Sequence, residues 1–191
     1  MKESSGGVGV LWRRLDRPGH EAARLLGSDD GWRLLGCAVF SHDAEACALT
    51  YRIDCDPLWR TRWAEVTGWV GDAAVLVKIE VSPEGLWFVD GAPAPEVEGC
   101  VDIDLNFSPS TNLLPIRRLA LPVGSEASVR AAWLRFPSFR MELLEQSYRR
   151  TAEDRYLYRS AGGRFQAELE VDANGFVKRY PPAWEVESGS R

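Results

Sequence analysis

The chain has 191 residues, 45% of them hydrophobic and 27% charged, with a formal net charge of −5 and a pI near 5.2. That length and composition fit one globular domain able to bury a core. The acidity excludes a general nucleic-acid or anionic-membrane binder, since both need a basic footprint.

Eight tryptophans suit sheets and ligand pockets better than helical bundles. The opening MKESSGGVGVLW holds no apolar run long enough for a signal peptide, and no later window approaches a membrane span. The expectation is a cytoplasmic protein. Cys37, Cys47, Cys55 and Cys100 show no zinc-type spacing. Each lies in a strand-like context and is expected as a reduced, half-buried thiol.

Residues 1–8 and 187–191 are expected as flexible ends of a single domain over 9–186. Between them, short β-type segments recur with turn signals roughly every 8–14 residues, the pattern of an antiparallel β fold. The first strands are predicted at 11–15, 22–26 and 32–40. Segment 46–56 alternates Leu49, Tyr51, Ile53 and Cys55 against Thr50, Arg52, Asp54 and Asp56, and Pro57 stops it. Segments 59–70, 75–81 and 86–90 follow, and 91–95 is expected as a linker.

Segment 100–119, CVDIDLNFSPSTNLLPIRRL, holds the densest polar chemistry. Val101, Ile103, Leu105 and Phe107 alternate with Asp102, Asp104 and Asn106, the pattern of a strand with one apolar face. Ser-Pro-Ser-Thr-Asn is then cap and turn chemistry, and Leu113, Leu114, Ile116 and Leu119 suit a short helix. Pro115 fits only a first turn, which puts the helix start near 110–114. Segment 127–136 is compatible with helix or strand, 139–149 and 155–159 with a hairpin. Phe165 to Val171 alternates cleanly, and Asp172-Ala-Asn-Gly175 turns the chain into 176–180. A sheet this extensive must curl, and the one short helix is the natural filling for its concave side.

Asp102 and Asp104 lie two apart on one strand face, roughly 6–7 Å from each other. Facing solvent they carry no function. Facing a cavity they would accept hydrogen bonds from sugar hydroxyls, hold a hard cation or do acid–base work. Asp54, Asp56 and Asp90 also end strands, with Trp59 and Trp87 close by. Carboxylates beside aromatic platforms are the chemistry of carbohydrate recognition. Trp63 shares that ambiguity, whereas Trp12, Trp32, Trp133, Trp184, Tyr148, Tyr156, Tyr158 and Tyr180 read as packing. The Asp-x-Asp pattern occurs in nucleotide-sugar transferases, but no βαβ unit or glycine loop accompanies it. There is no GxSxG elbow, Walker loop or HExxH, and the two histidines, His20 and His42, lie in turns. The balance favours a binding protein without cofactor or metal. A carbohydrate-active enzyme using a carboxylate pair, with or without a metal, is the alternative.

The runs YRIDCDPLWRTR, GLWFVDG, GCVDIDLNFSPSTNLLPIRRL, AAWLRFPSF, EQSYRR and YLYRS resemble a bacterial family catalogued as putative glycolipid-binding, formerly a domain of unknown function. The resemblance spans about 11–184. It implies a many-stranded antiparallel sheet, half-barrel-like, wrapped around one helix and assembled as a homodimer. It also implies an acidic pocket for a sugar or phospholipid headgroup and a role in glycolipid metabolism. Shape similarity of that family to periplasmic lipoprotein carriers does not transfer their function. The residues expected to bind ligand, chosen from the alternation, are Asp102, Asp104, Asp54, Trp59, Asp90, Arg117, Trp87 and Tyr51. Apolar sheet side chains and the helix are expected to take the acyl part.

Overall fold

The computed structural model describes residues 7–187. The chain builds one 15-stranded sheet in two arms. The first arm is a meander of β1 (Val8–Arg14), β2 (Gly19–Ser28), β3 (Gly31–His42), β4 (Glu45–Cys55), β5 (Thr61–Val70), β6 (Ala73–Val81), β7 (Trp87–Val89) and β8 (Ala92–Pro93). The second arm comprises β9 (Asp102–Leu105), the helix α1 (Leu113–Leu119), β10 (Glu126–Arg135), β11 (Arg140–Ala152), β12 (Arg155–Ser160), β13 (Phe165–Val171), β14 (Val177–Tyr180) and β15 (Trp184–Val186). Strand β1 pairs with β15, so the two arms join through the first and last strands, and β8 and β9 become the edges.

Fifteen strands of twisted sheet curl, and the curl brings edge strand β9 against the start of β5 without completing a barrel ladder. Thr61 N–H donates to Val101 O at 3.0 Å, Ile103 N–H to Thr61 Oγ1 at 3.1 Å, and Trp87 Nε1–H to Cys100 O at 3.0 Å. Backbone groups that an open edge would leave unpaired are thereby satisfied. Strand β8 has only two residues, which limits the other edge.

The alternation predicts the strands well, and the departures have local causes. The segment expected at 59–70 begins at Thr61, because Asp56 Oδ1 accepts the N–H groups of Leu58 and Arg60, both at 2.9 Å, and holds a turn. Segment 127–136 is a strand, paired with β11 along its whole length. Strand β9 runs parallel to β10, not antiparallel, because the crossover through α1 returns the chain in the same direction. The expected linker at 91–95 includes β8 and leads into a 3-10 turn, Pro95–Val97. Cys47, Cys55 and Cys100 are buried free thiols, whereas Cys37 is exposed. Of the expected loose ends, 1–6 and 188–191 lie outside the described residues, while Val8 opens β1.

A 3-10 turn, Ser110–Asn112, leads directly into α1, and Ala120 closes the helix in the left-handed conformation. Leu113 and Leu114 pack in a core with Trp12, Leu34, Ile53, Ile79, Ile103 and Leu105. Ile116 packs in a second core with Val129, Tyr148, Tyr156, Tyr158 and Leu169. The helix therefore joins the two arms from within the curl, each buried aliphatic side chain contributing roughly 1.5–3 kcal/mol. Among the described residues no helix is long and apolar enough to cross a membrane.

Candidate functional site

A helix of seven residues is about 10 Å long, while strand β11, with 13 residues, extends roughly 40 Å. Helix α1 therefore covers only part of the second arm's concave face. At the uncovered end lies a cavity of about 350 Å³. Its polar lining includes Arg14, Asp104, Asn106, Ser108 and Asn112, and its aromatic lining includes Trp133, Tyr158, Phe165, Tyr180 and Trp184. That size sits at the lower end of small-molecule sites. A larger depression of about 570 Å³ opens near Arg60, Arg62 and Pro83, but its Asp56 and Arg60 already satisfy each other at 2.7 Å.

Asp104 reaches the cavity because its position on β9 is in phase with Asp102 and out of phase with Ile103 and Leu105, which are buried in core packing. Gln146 Nε2–H donates to Asp104 Oδ2 at 2.6 Å. The Tyr148 hydroxyl lies 3.3 Å from Gln146 Oε1 and 2.9 Å from Asn112 Oδ1, where it donates. An ionised Asp104 can only accept, so the Gln146 amide presents its nitrogen to it. No ion pair reaches Asp104 among the described residues. Burial pushes its pKa up to about 6, with the Gln146 hydrogen bond opposing.

Asp102 has a different fate. Arg118, on the last turn of α1, donates Nε–H to Oδ1 at 2.9 Å and Nη2–H to Oδ2 at 2.5 Å. The Asp102 side chain is 1% exposed and that of Arg118 21%. Burial raises the Asp102 pKa while Arg118 opposes the rise, and Asp102 in turn lifts that of Arg118. The two-pronged geometry favours the charged pair. It clamps edge strand β9 to the helix.

Behind the cavity wall lies a buried cluster that the alternation did not single out. Glu21, 1% exposed, shares the inward phase of β2 with Ala23 and Leu25. Its Oε1 accepts Ser108 Oγ–H at 2.5 Å and the Tyr51 hydroxyl at 2.7 Å. Ser110 Oγ lies 2.6 Å from the Tyr51 hydroxyl and 2.7 Å from Ser108 Oγ. With Tyr51 and Ser108 each donating to Glu21, Ser110 donates to one of them, and every hydroxyl proton is placed. Glu21 Oε2 remains a fully buried oxygen without a partner. Burial, against those hydrogen bonds and the charge of Arg14, pushes the Glu21 pKa up to about 7. Gly36 faces Tyr51 across β3 and β4, and a Cβ there would overlap the Tyr51 ring.

The structure places Asp102, Asp104 and Tyr51 in this region and sets the remaining expected residues elsewhere. Asp54 is held by Arg33 at 2.6 Å and Arg52 at 2.5 Å on the sheet surface. Trp59 is buried, stacked on Trp32 with ring centroids 4.3 Å apart, and Arg117 lies over its ring at 5.2 Å. Trp87 is buried against the main chain of Cys100. Asp90 occupies a turn and accepts the Lys78 N–H at 2.8 Å. Conversely, Trp133, Trp184, Tyr158 and Tyr180, expected as packing, line the cavity. A charged residue on the apolar phase of a strand was the one sequence signal for Glu21. None existed for Arg14 or Gln146.

A family model described as "Putative glycolipid-binding" matches residues 9–186. No curated protein matches the chain. The crystal structure of a DUF1089 family protein from Pseudomonas aeruginosa is similar to it with a TM-score of 0.77 and 28% sequence identity, covering 97% of this chain and 95% of that one.

Proposed function

The chain belongs to the family so described, and from that premise we propose that it is a non-catalytic binder of an amphiphile's headgroup, held in the cavity beside α1. The observation that carries this reading is the combination in one cavity of the Asp104 carboxyl with aromatic walls from Trp133, Tyr158, Tyr180 and Trp184. Hydroxyl groups are recognised by fixed acceptors and donors, and aromatic faces cover the apolar faces of a sugar ring. Asp102 acts in this reading as the anchor that holds Asp104 in place, and Tyr51 supports Ser108 from behind. Hydrolysis would need a second carboxylate facing Asp104 across the site. Glu21, the nearest candidate in the network, is walled behind Ser108, which supports binding over turnover.

Two cavity tryptophans supply the assay. Titration with short-chain alkyl glycosides below micelle formation is expected to shift tryptophan emission saturably, and Asp104→Ala is expected to weaken binding by at least tenfold. Absence of a saturable response across a panel of glycosides refutes the reading.

The proposal extends to a homodimer. It is supported by two adjacent cross-strand rows on the outer face of the first arm, which expose Leu11, Val39, Trp69 and Leu76. Light scattering at twice the 21.3 kDa chain mass would support it.

A further inference from the structure

We propose that the cavity selects headgroups bearing a positively charged nitrogen, such as an amino sugar or another organic ammonium, over neutral ones. This rests on the reading of the cavity as a headgroup site and names the chemical class that it takes.

The charges around the cavity leave one carboxyl without a cation. Arg14 is its one lining cation, and that charge is committed. Its Nε–H and Nη2–H donate to the two oxygens of Asp16 at 2.9 and 3.0 Å, and its guanidinium lies over Phe40 at 4.9 Å and Trp184 at 4.7 Å. Asp102 and Arg118 cancel each other beside the site. Asp104 remains, with an amide as its single hydrogen-bond partner and no cation.

Its second oxygen is open. Glu21 Oε2 is the one fully buried side-chain oxygen or nitrogen without a partner among the described residues. Asp104 Oδ1, which also has no partner, is therefore in contact with the cavity and not sealed away. The amide of Gln146 occupies Oδ2. One lone acceptor, negatively charged when ionised, faces the space that a ligand would fill.

The walls suit a cation. Tyr158, Phe165 and Tyr180 line the cavity with ring centroids 5.9 to 6.0 Å from one another. Clustered aromatic rings attract organic ammonium groups through their quadrupoles, most strongly where water is excluded. Neutral hydroxyls could be held by an amide at position 104 without the penalty of burying a charge. An unpaired carboxylate among aromatic rings is matched by a ligand that carries the opposite charge.

The test compares matched probes by calorimetry at low salt: octyl glucoside, its 2-amino-2-deoxy counterpart, and an octyl-chain phosphocholine. The amino glycoside is expected to bind at least tenfold more tightly than the neutral one. Asp104→Asn, which preserves shape, is expected to bring the ratio of the two affinities to about one, and that ratio, not the absolute affinity of either glycoside, is the readout. Preference for the phosphocholine probe over the neutral glycoside, lost in the same variant, would assign the ammonium to a phospholipid-type source. Preference for the amino glycoside alone would assign it to a sugar. Equal affinity of the neutral glycoside and both ammonium probes, or a preference that survives Asp104→Asn, overturns the inference and leaves the headgroup site standing. Failure of every probe to bind overturns both.

Discussion

Replacing Glu21 by Gln should make the protein more stable at pH 8 and leave it unchanged near pH 4. Glu21 is buried with one oxygen unpartnered, and its pKa rises from an ordinary 4.5 to about 7. The folded protein thus holds this proton more tightly than the unfolded chain. Between those two values the unfolded state binds fewer protons, so stability falls as pH rises through the window and levels off above it. The interval, at about 1.4 kcal/mol per pH unit, amounts to roughly 3 kcal/mol at pH 8. Gln keeps an oxygen for Tyr51 and Ser108 and does not ionise. The variant's advantage should therefore grow from near zero at pH 4 to roughly 3 kcal/mol at pH 8, or about 6–12 °C in Tm for a chain of this size. Paired urea unfolding curves from pH 4 to 8 measure the difference directly. Asp104 titrates in an overlapping range in both proteins and cancels from the comparison. Parallel stability curves for the two proteins refute the argument, as would a variant that loses ground at high pH.

Arg118→Met leaves the Asp102 charge buried without its partner and should cost about 3–5 kcal/mol. The double variant Asp102→Leu/Arg118→Met should recover most of that loss in chemical denaturation. If the single variant is as stable as the parent, the ion pair does not clamp β9 to the helix. Gly36→Ala forces a methyl group into the Tyr51 ring and should cost about 1–3 kcal/mol. An additional Tyr51→Ala, which removes the obstacle, should lose less in the Gly36→Ala background than in the parent. A strictly additive cycle would count against that contact.

Much of this architecture follows from local pattern. Alternation in 46–56, 100–107 and 165–171 fixes which residues share a face, because successive strand side chains point to opposite sides. Pro115, together with the cap residues before it, sets the start of α1 within a narrow window, and a lone short helix among strands has to fill the concave side. The family was legible from the long motif around α1. The parallel entry of β9 was not, because the direction of a crossover is decided where the chain returns and not by its periodicity.

The site divides along the same line. By itself the sequence determined that Asp102 and Asp104 share one face of an otherwise apolar strand, and that a helix with two arginines follows. Only the tertiary structure decided their different fates. Arg118 comes back over Asp102 and neutralises it, while Gln146, 42 residues beyond Asp104, leaves one oxygen of Asp104 open to a cavity. Glu21 meets Ser108 across 87 residues, and the tryptophans that line the cavity come from β10 and β15. Local periodicity specifies a side chain's face. Its partner is set by how a 15-stranded sheet curls and how much of its inner surface a seven-residue helix can cover.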